Sequence, residues 1–186
     1  MCSQIRKLVV LDRDGVINYD SDEYIKSPDE WRAIPGSIDA IARLGRAAYD
    51  VVIVSNQSGI ARGLLSESTL NAINARMTRE IQASGGSLAG IYFCPHHPDQ
   101  GCSCRKPEPG LLLRVAQDFS RSLEGVPVIG DKLSDLQAAS AVQARPILVL
   151  TGRGQKTFEE LGGEFSEVYA DLEAAVETLL AEQGVG

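Results

Sequence analysis

Leu8-Val9-Val10-Leu11-Asp12-Arg13-Asp14-Gly15-Val16-Ile17-Asn18 is the stretch on which the reading of the chain turns. An apolar run that stops at Asp-x-Asp-Gly reads as a fully buried parallel strand whose carboxyl end presents two carboxylates, and in open α/β sheets ligands bind at that end. Asp12 and Asp14 stand two residues apart, so extended chain projects them to one side and turns Arg13 away. Two neighbouring carboxylates repel unless a cation lies between them. Mg²⁺, a hard ion that favours oxygen ligands, is the simplest candidate. The same residues also suit a strand end followed by an ordinary Asp-Gly turn.

Working outward, four further strands follow: Val51–Val54, Ile91–Phe93, Val126–Ile129 and Ile147–Leu150. Helical patterns separate them, among them Ile38, Ile41 and Leu44, and the stripe of Leu70, Ile73, Met77 and Ile81 after an N-capping Ser66. Glu167–Ala170 suggests one more strand, and Leu172, Val176 and Leu179 a closing helix. Strands alternating with helices predict an α/β fold, a doubly wound parallel sheet with helices on both faces. A single domain over residues 1–186 is expected, with no large cap domain and so an open site. Residues 19–31 are too polar for core and read as a loop or flap beside the first strand's carboxyl end. Residues after Gln183 are expected to fray.

Composition narrows the partners. With 44% hydrophobic residues, 23% charged residues and a net charge of −7, the chain is ordinary for a globular protein and a poor default partner for nucleic acid or an anionic membrane. No run approaches the ~20 apolar residues of a membrane span, and the start lacks a signal-peptide pattern, so a cytoplasmic protein is expected. No long apolar patch demands a partner, and a monomer is expected. Cys94, His96, Cys102 and Cys104 form a Cys₃His set that suits structural, tetrahedral Zn²⁺ in a loop over residues 94–104. A disulfide or buried free thiols are the alternatives there. Cys2, isolated near the start, is read as uninvolved.

Three strand ends carry polar groups: Asp12 and Asp14, then Ser55-Asn56, then Asp131 and Asp135, with Arg105-Lys106-Pro107 on a loop between the last two sets. A parallel sheet gathers such ends at one edge. The inventory suits phosphoryl transfer: carboxylates for Mg²⁺, a nucleophile, a hydroxyl and a lysine for phosphate oxygens. Asp131 and Asp135 alone could equally be acids decorating a helix N-terminus.

In order and spacing these residues resemble the haloacid dehalogenase superfamily of phosphatases. The finer pattern, Leu-Asp-Arg-Asp-Gly-Val-Ile-Asn with Ser-Asn-Gln-Ser-Gly-Ile-Ala-Arg-Gly and Cys-Pro-His-His-Pro…Cys-Ser-Cys-Arg-Lys-Pro, is similar to the heptose bisphosphate phosphatases. The resemblance covers Leu8 to about Gly154. It implies a Mg²⁺-dependent phosphatase that removes the C7 phosphate of a heptose 1,7-bisphosphate, a step in heptose supply for lipopolysaccharide core or another glycan. Asp12 would be the nucleophile, and Asp14 a proton donor and acceptor whose pKa must be raised. Ser55 and Lys106 would bind the phosphate. Mg²⁺ would sit on Asp12, Asp131 and the main-chain carbonyl of Asp14, with Asp135 orienting Lys106 or a metal-bound water. The family pattern takes His96, rather than His97, as the zinc ligand. Substrate contacts are expected from Arg13, Asn56, Gln57, Ser58, Arg105 and Lys132, and from a specificity flap of Asp20, Ser21, Asp22, Glu23 and Tyr24. Arg62 is either an anion contact or a solvated cation. Histidinol-phosphate phosphatases share the strand motifs and are the nearest enzyme alternative, and a slowly turning-over phospho-aspartate signalling module is the alternative outside enzymes.

Overall fold

The computed structural model describes residues 6–182, so Cys2 and the stretch after Gln183 lie outside the described residues. Six strands form one all-parallel sheet in the order β3-β2-β1-β4-β5-β6. They are β1 (Lys7–Leu11), β2 (Tyr49–Asn56), β3 (Gly90–Cys94), β4 (Pro127–Gly130), β5 (Arg145–Val149) and the two-residue β6 (Val168–Tyr169). The helices are α1 (Ser37–Arg46), α2 (Glu67–Ala83), α3 (Gly110–Asp118), α4 (Leu133–Ala141), α5 (Gly154–Glu160) and α6 (Leu172–Ala181). Among the described residues no helix is long and apolar enough to cross a membrane.

Alternation along the strands builds two cores. Val9 and Leu11 of β1, with Val51 and Ile53 of β2, join Ile41 of α1, Ile73 and Met77 of α2 and Val176 of α6. Leu8 and Val10, with Val52 and Val54, join Leu112 and Val115 of α3 and Ala138 of α4 on the other face. Both faces of β1 are thus covered, as its uninterrupted apolar run requires. Each fully buried aliphatic side chain contributes about 1.5–3 kcal/mol, so this double burial fixes the register of the central strand.

β1 is central, and the chain runs from it outward to β2 and β3 before returning to β4 on its other side. The carboxyl ends of β1 and β4 therefore flank the point where the winding reverses, where a crevice must open. The segment from 19 to 31 is less polar in effect than its composition suggests. Ile25 and Trp31 are buried in the main core, and the Trp31 ring lies 5.9 Å from the Arg76 guanidinium, so the second half of the flap is anchored. α5 has no counterpart in the sequence reading. It has seven residues and buries only Gly154 and Thr157, too few for an apolar period to show.

Candidate active site

A cavity of about 380 Å³ opens where β1, β2 and β4 end. Asp12 follows β1 directly, Ser55 is the last residue but one of β2, Asp131 follows β4, and Lys106 arrives from the loop between β3 and α3. The main chain itself ties the first of these down, since Asp12 N–H donates to Ile129 O at 2.9 Å and extends the β1–β4 ladder by one residue.

Asp12, Asp131 and Asp135 each bring a carboxylate oxygen within 4.8 Å of the others. The Oδ1 atoms of all three are buried and accept no well-formed hydrogen bond. Two ammonium groups stand close to them: Lys106 Nζ at 3.0 Å from Asp12 and 2.6 Å from Asp135, and Lys132 Nζ at 3.4 Å from Asp131. Burial pushes Asp12 above its ordinary range, with Lys106 opposing and Asp135 adding to the rise. Burial likewise drives Asp131 up to about 7, against Lys132 and with Asp12 and Asp135 adding. Lys106 is held protonated, because Asp12 and Asp135 outweigh the burial that would lower it. Three converging acids share two ammonium groups and are short of positive charge, and an oxygen-loving divalent cation fits that set. The main-chain carbonyl of Asp14 faces the same space, 3.4 Å from Lys132 Nζ. The carboxylate of Asp14 does not join the acid group; Asp135 stands there instead.

Asp14 is held elsewhere, and here the structure corrects the sequence reading twice. Arg13 is not turned away: its Nε and Nη2 donate to the two oxygens of Asp14 at 3.1 and 3.0 Å, and its Nη1 to Asn74 at 3.2 Å. The chain bends at Arg13, beyond the end of β1, so strand alternation no longer governs that residue. Asn18 Nδ2 at 2.9 Å and Gln57 Nε2 at 2.7 Å donate to Asp14 as well. Burial works to raise its pKa, yet the Arg13 charge and the hydrogen bonds from Asn18 and Gln57 win, and Asp14 lies below its ordinary value rather than above. Gln57 also donates to Ser55 Oγ at 2.7 Å, so one amide joins the phosphate-binding candidate to the proton-transfer candidate.

Lys106 is placed by both its ends. Its ammonium donates to Val54 O at 2.7 Å. Its backbone is clamped by Asn56, whose Nδ2 donates to Lys106 O at 3.0 Å and whose Oδ1 accepts from Lys106 N–H at 3.1 Å. The Asn56 amide, expected to touch substrate, is therefore spent on holding Lys106. Upstream, Cys94, His96, Cys102 and Cys104 turn their ligand atoms toward one point. The Cys104 sulfur is 3.2 Å from Cys94 Sγ, 3.2 Å from His96 Nδ1 and 3.5 Å from Cys102 Sγ, and none of these thiols is in a disulfide. Ligands 2.0–2.3 Å from a tetrahedral centre stand roughly 3.3–3.8 Å apart, so the spacing fits zinc. Burial pushes the Cys94 thiol up to about 12, a cost that a cation removes. His97 faces away to cap the short turn at Pro98–Gln100, its Nδ1 accepting from Asp99 N–H at 3.3 Å.

The mouth of the cavity is lined by Asp20, Ser21, Asp22 and Tyr24 of the flap and by Arg105 and Lys132. Lys132 Nζ reaches Asp20 at 3.0 Å, while Arg105 donates only to His96 O, at 3.4 Å, and has no carboxylate partner among the described residues. Glu23 does not line this cavity; it is exposed beside Lys26. Ser58 is buried outside the cavity, and Arg62 is exposed away from it. Arg153 lines the mouth and was not anticipated. It sits in Thr151-Gly152-Arg153-Gly154, a polar terminus after the fifth strand of the same kind as the three singled out, and that is the signal that would have found it.

Two glycines close the space around Asp131. A Cβ on Gly15, whose φ is +91°, would stand 2.2 Å from Asp131 Oδ2, and one on Gly152 would stand 2.3 Å from the same atom. Arg153 N–H donates to that oxygen at 2.8 Å, and Thr157 Oγ1 donates to the Asp131 carbonyl at 2.8 Å.

The family model described as Polynucleotide kinase 3 phosphatase matches residues 7–134, and the HAD-hydrolase-like model matches residues 103–175. The D-glycero-beta-D-manno-heptose-1,7-bisphosphate 7-phosphatase of Bordetella bronchiseptica is 52% identical over 177 residues, covering 95% of this chain and 99% of that protein. The enzyme of the same name from Pseudomonas putida is 50% identical, covering 94% and 99%. A crystal structure of D,D-heptose 1,7-bisphosphate phosphatase from B. bronchiseptica, complexed with magnesium and phosphate, is similar with a TM-score of 0.91 at 52% identity, over 95% of this chain and 99% of that one. The Burkholderia thailandensis counterpart gives a TM-score of 0.74 at 44% identity, over 95% and 99%.

Proposed function

The chain belongs to the D-glycero-beta-D-manno-heptose-1,7-bisphosphate 7-phosphatase family, among the HAD-like hydrolases, and from that premise we propose how its residues remove the C7 phosphate of the heptose bisphosphate. The observation that carries the reading is the convergence of Asp12, Asp131, Asp135 and Lys106 in one buried space at the sheet's switch point.

Asp12 is the nucleophile: a carboxylate needs no base to activate it, and it stands at the floor of the cavity beside Lys106. Its oxygen attacks phosphorus, the bond to the sugar O7 breaks, and an aspartyl phosphate forms. Lys106 and Ser55 bind the transferring oxygens. Asp14 gives a proton to the departing O7 and then takes one from the water that cleaves the aspartyl phosphate. Its lowered pKa suits the second half of that task, and the arriving phosphate, a further anion beside it, raises it for the first. Gln57, bonded to both Ser55 and Asp14, keeps the two at a fixed spacing.

Asp12, Asp131 and the Asp14 carbonyl would hold Mg²⁺, and Asp135, bonded to Lys106, sets the lysine's direction. When bound, the ion offsets the repulsion between Asp12 and the phosphate and stabilises the oxygens of the transferring group. The Cys₃His loop would hold a structural zinc, leaving no open coordination position. Arg105, the lining cation without a carboxylate partner, is the contact for the second phosphate or the sugar hydroxyls, with Lys132 and the flap beside it. We read the enzyme as a monomer acting in the cytoplasm. The large exposed apolar side chains among the described residues, Tyr19, Leu64 and Leu113, sit on three different segments.

Phosphate release from the α and β anomers of the heptose 1,7-bisphosphate, measured beside histidinol phosphate, tests the reading. The bisphosphate, and the β anomer in particular, is expected to give the higher kcat/KM. A higher value for histidinol phosphate would replace the assignment, and phosphorylation of Asp12 without turnover would make the protein a signalling module.

A further inference from the structure

The tip of the flap, residues 19–23, is exposed and belongs to no helix or strand. Tyr19 N–H at its base donates to Arg32 O at 3.0 Å, but beyond it the hydrogen bonds are local: Ser21 N–H to Asp20 Oδ1 at 2.8 Å, Glu23 N–H to Ser21 Oγ at 3.2 Å and Tyr24 N–H to Ser21 O at 3.0 Å. Asn18 and Ile25, both buried, anchor the ends but not the middle. Among the described residues, the ion pairs from the tip to another loop run to two cations. Lys132 takes Asp20, and Arg153 takes Asp22 with Nη2 and lies 3.9 Å from Asp20 through Nε.

The two cations differ in what else they do. Lys132 also approaches Asp131 and the Asp14 carbonyl, so it is shared with the reacting groups. The Arg153 side chain, about half exposed at 49%, pairs with the flap acids alone. Its base is nevertheless rigid. Arg153 N–H is bonded to Asp131, Thr151 Oγ1 donates to Gly15 O at 2.6 Å, and a Cβ on Gly154 would stand 1.7 Å from Val149 O. A long side chain on an immobile root is suited to fix something that is not itself immobile.

Charge gives the second argument. Asp20, Asp22 and Glu23 place three acids on the tip of the flap. A ligand carrying two phosphates is repelled by them unless they are neutralised before it arrives. We propose that Arg153 is a positioning residue for the flap: paired with Asp22 and Asp20, its guanidinium holds residues 20–24 across the cavity mouth where they meet the sugar. The sugar contact rests on the heptose bisphosphatase reading; the attachment of the flap to Arg153 does not.

Hydrogen exchange by mass spectrometry on the ligand-free protein, comparing wild type with Arg153→Ala, reads the attachment directly. Two exposed pairs are lost, so exchange over residues 19–25 should quicken roughly fivefold while exchange in the rest of the chain stays as it was. Raised ionic strength should quicken the flap more in the wild type than in the variant, which keeps only the Lys132–Asp20 pair. In steady-state assays on the bisphosphate, KM should rise roughly threefold to tenfold with kcat within about twofold. Unchanged flap exchange overturns the proposal. So does a fall in kcat at constant KM, which would mean that Arg153 acts through Asp131. A wild type inactive on the bisphosphate would sink the functional reading, while the exchange experiment, made without substrate, still decides the attachment.

Discussion

Arg13 grips Asp14 with two nitrogens, Nε at 3.1 Å from Oδ1 and Nη2 at 3.0 Å from Oδ2, across a single peptide bond. The guanidinium side chain is 3% exposed and the carboxylate 15%. Replacing Arg13 by Met leaves a buried carboxylate with only its amide donors, and burial then dominates. The Asp14 carboxyl, followed by carbon NMR in the metal-free protein, should titrate at higher pH than in the wild type. Stability above the ordinary carboxylate range should fall by about 3 kcal/mol, the lower end for breaking a buried pair. An unmoved titration would show that Asn18 and Gln57 alone hold Asp14 ionised.

Asp131 gives the metal-free protein a pH dependence of defined sign. Its pKa rises on folding from 3.8 to about 7, so the folded state holds the proton more tightly than the unfolded one. Its contribution is most favourable below the unfolded value and is lost as pH climbs through the folded one. Asp12, also raised, acts in the same direction. The metal-free protein should therefore have a lower Tm at pH 8 than at pH 5, with Mg²⁺ raising Tm more at pH 8. Asp131→Asn should flatten that dependence and remove the response to Mg²⁺. A Tm that rises from pH 5 to pH 8 without metal would contradict the clustering of these acids.

Asp12→Asn should lower kcat by at least about a thousandfold, as loss of a nucleophile does. The fold should survive, because the change removes one of three crowded acids while Lys106 keeps Asp135 and Val54 O. Matching far-ultraviolet circular dichroism with no phosphate release is the expected pair of results. Turnover within tenfold of wild type would remove Asp12 as nucleophile.

The zinc loop should couple metal content to catalysis through position. Cys104 is followed directly by Arg105 and Lys106, and Asn56 fixes the Lys106 backbone from the other side. Elemental analysis should find about one zinc per chain, and Cys104→Ser should lose it. The variant's kcat/KM should fall while the sheet persists, since neither core cluster includes residues 95–109. Full activity in a zinc-free protein would leave the loop without this role.

The sequence showed the fold where a residue's surroundings repeat along the chain. The unbroken Leu8–Leu11 run meant burial on both faces, and the Leu70, Ile73, Met77 and Ile81 stripe meant a helix with one buried side; both are as expected. The acids at the strand ends could be read because a parallel sheet brings such ends together whatever lies between them. The orientation of Arg13 could not, since it depends on a bend after Leu11 that no periodicity signals. Nor could the double engagement of Asn56, whose partner lies 50 positions away on an irregular loop. α5 stayed hidden because a short helix with two buried residues leaves no apolar period, and Arg153 stayed hidden with it at the head of that helix.

The glycines around Asp131 extend the set of fragile positions beyond the acids and the lysine. Gly15 and Gly152 come from opposite ends of the chain, yet a single methyl group on either would meet the same carboxylate oxygen. Alanine at these two sites is thus not a mild change. Each should displace Asp131, and so damage the acid as well as strain a backbone held at positive φ. A survey of inactivating substitutions would find such a protein damaged at places with no functional group at all, where the requirement is that nothing be there.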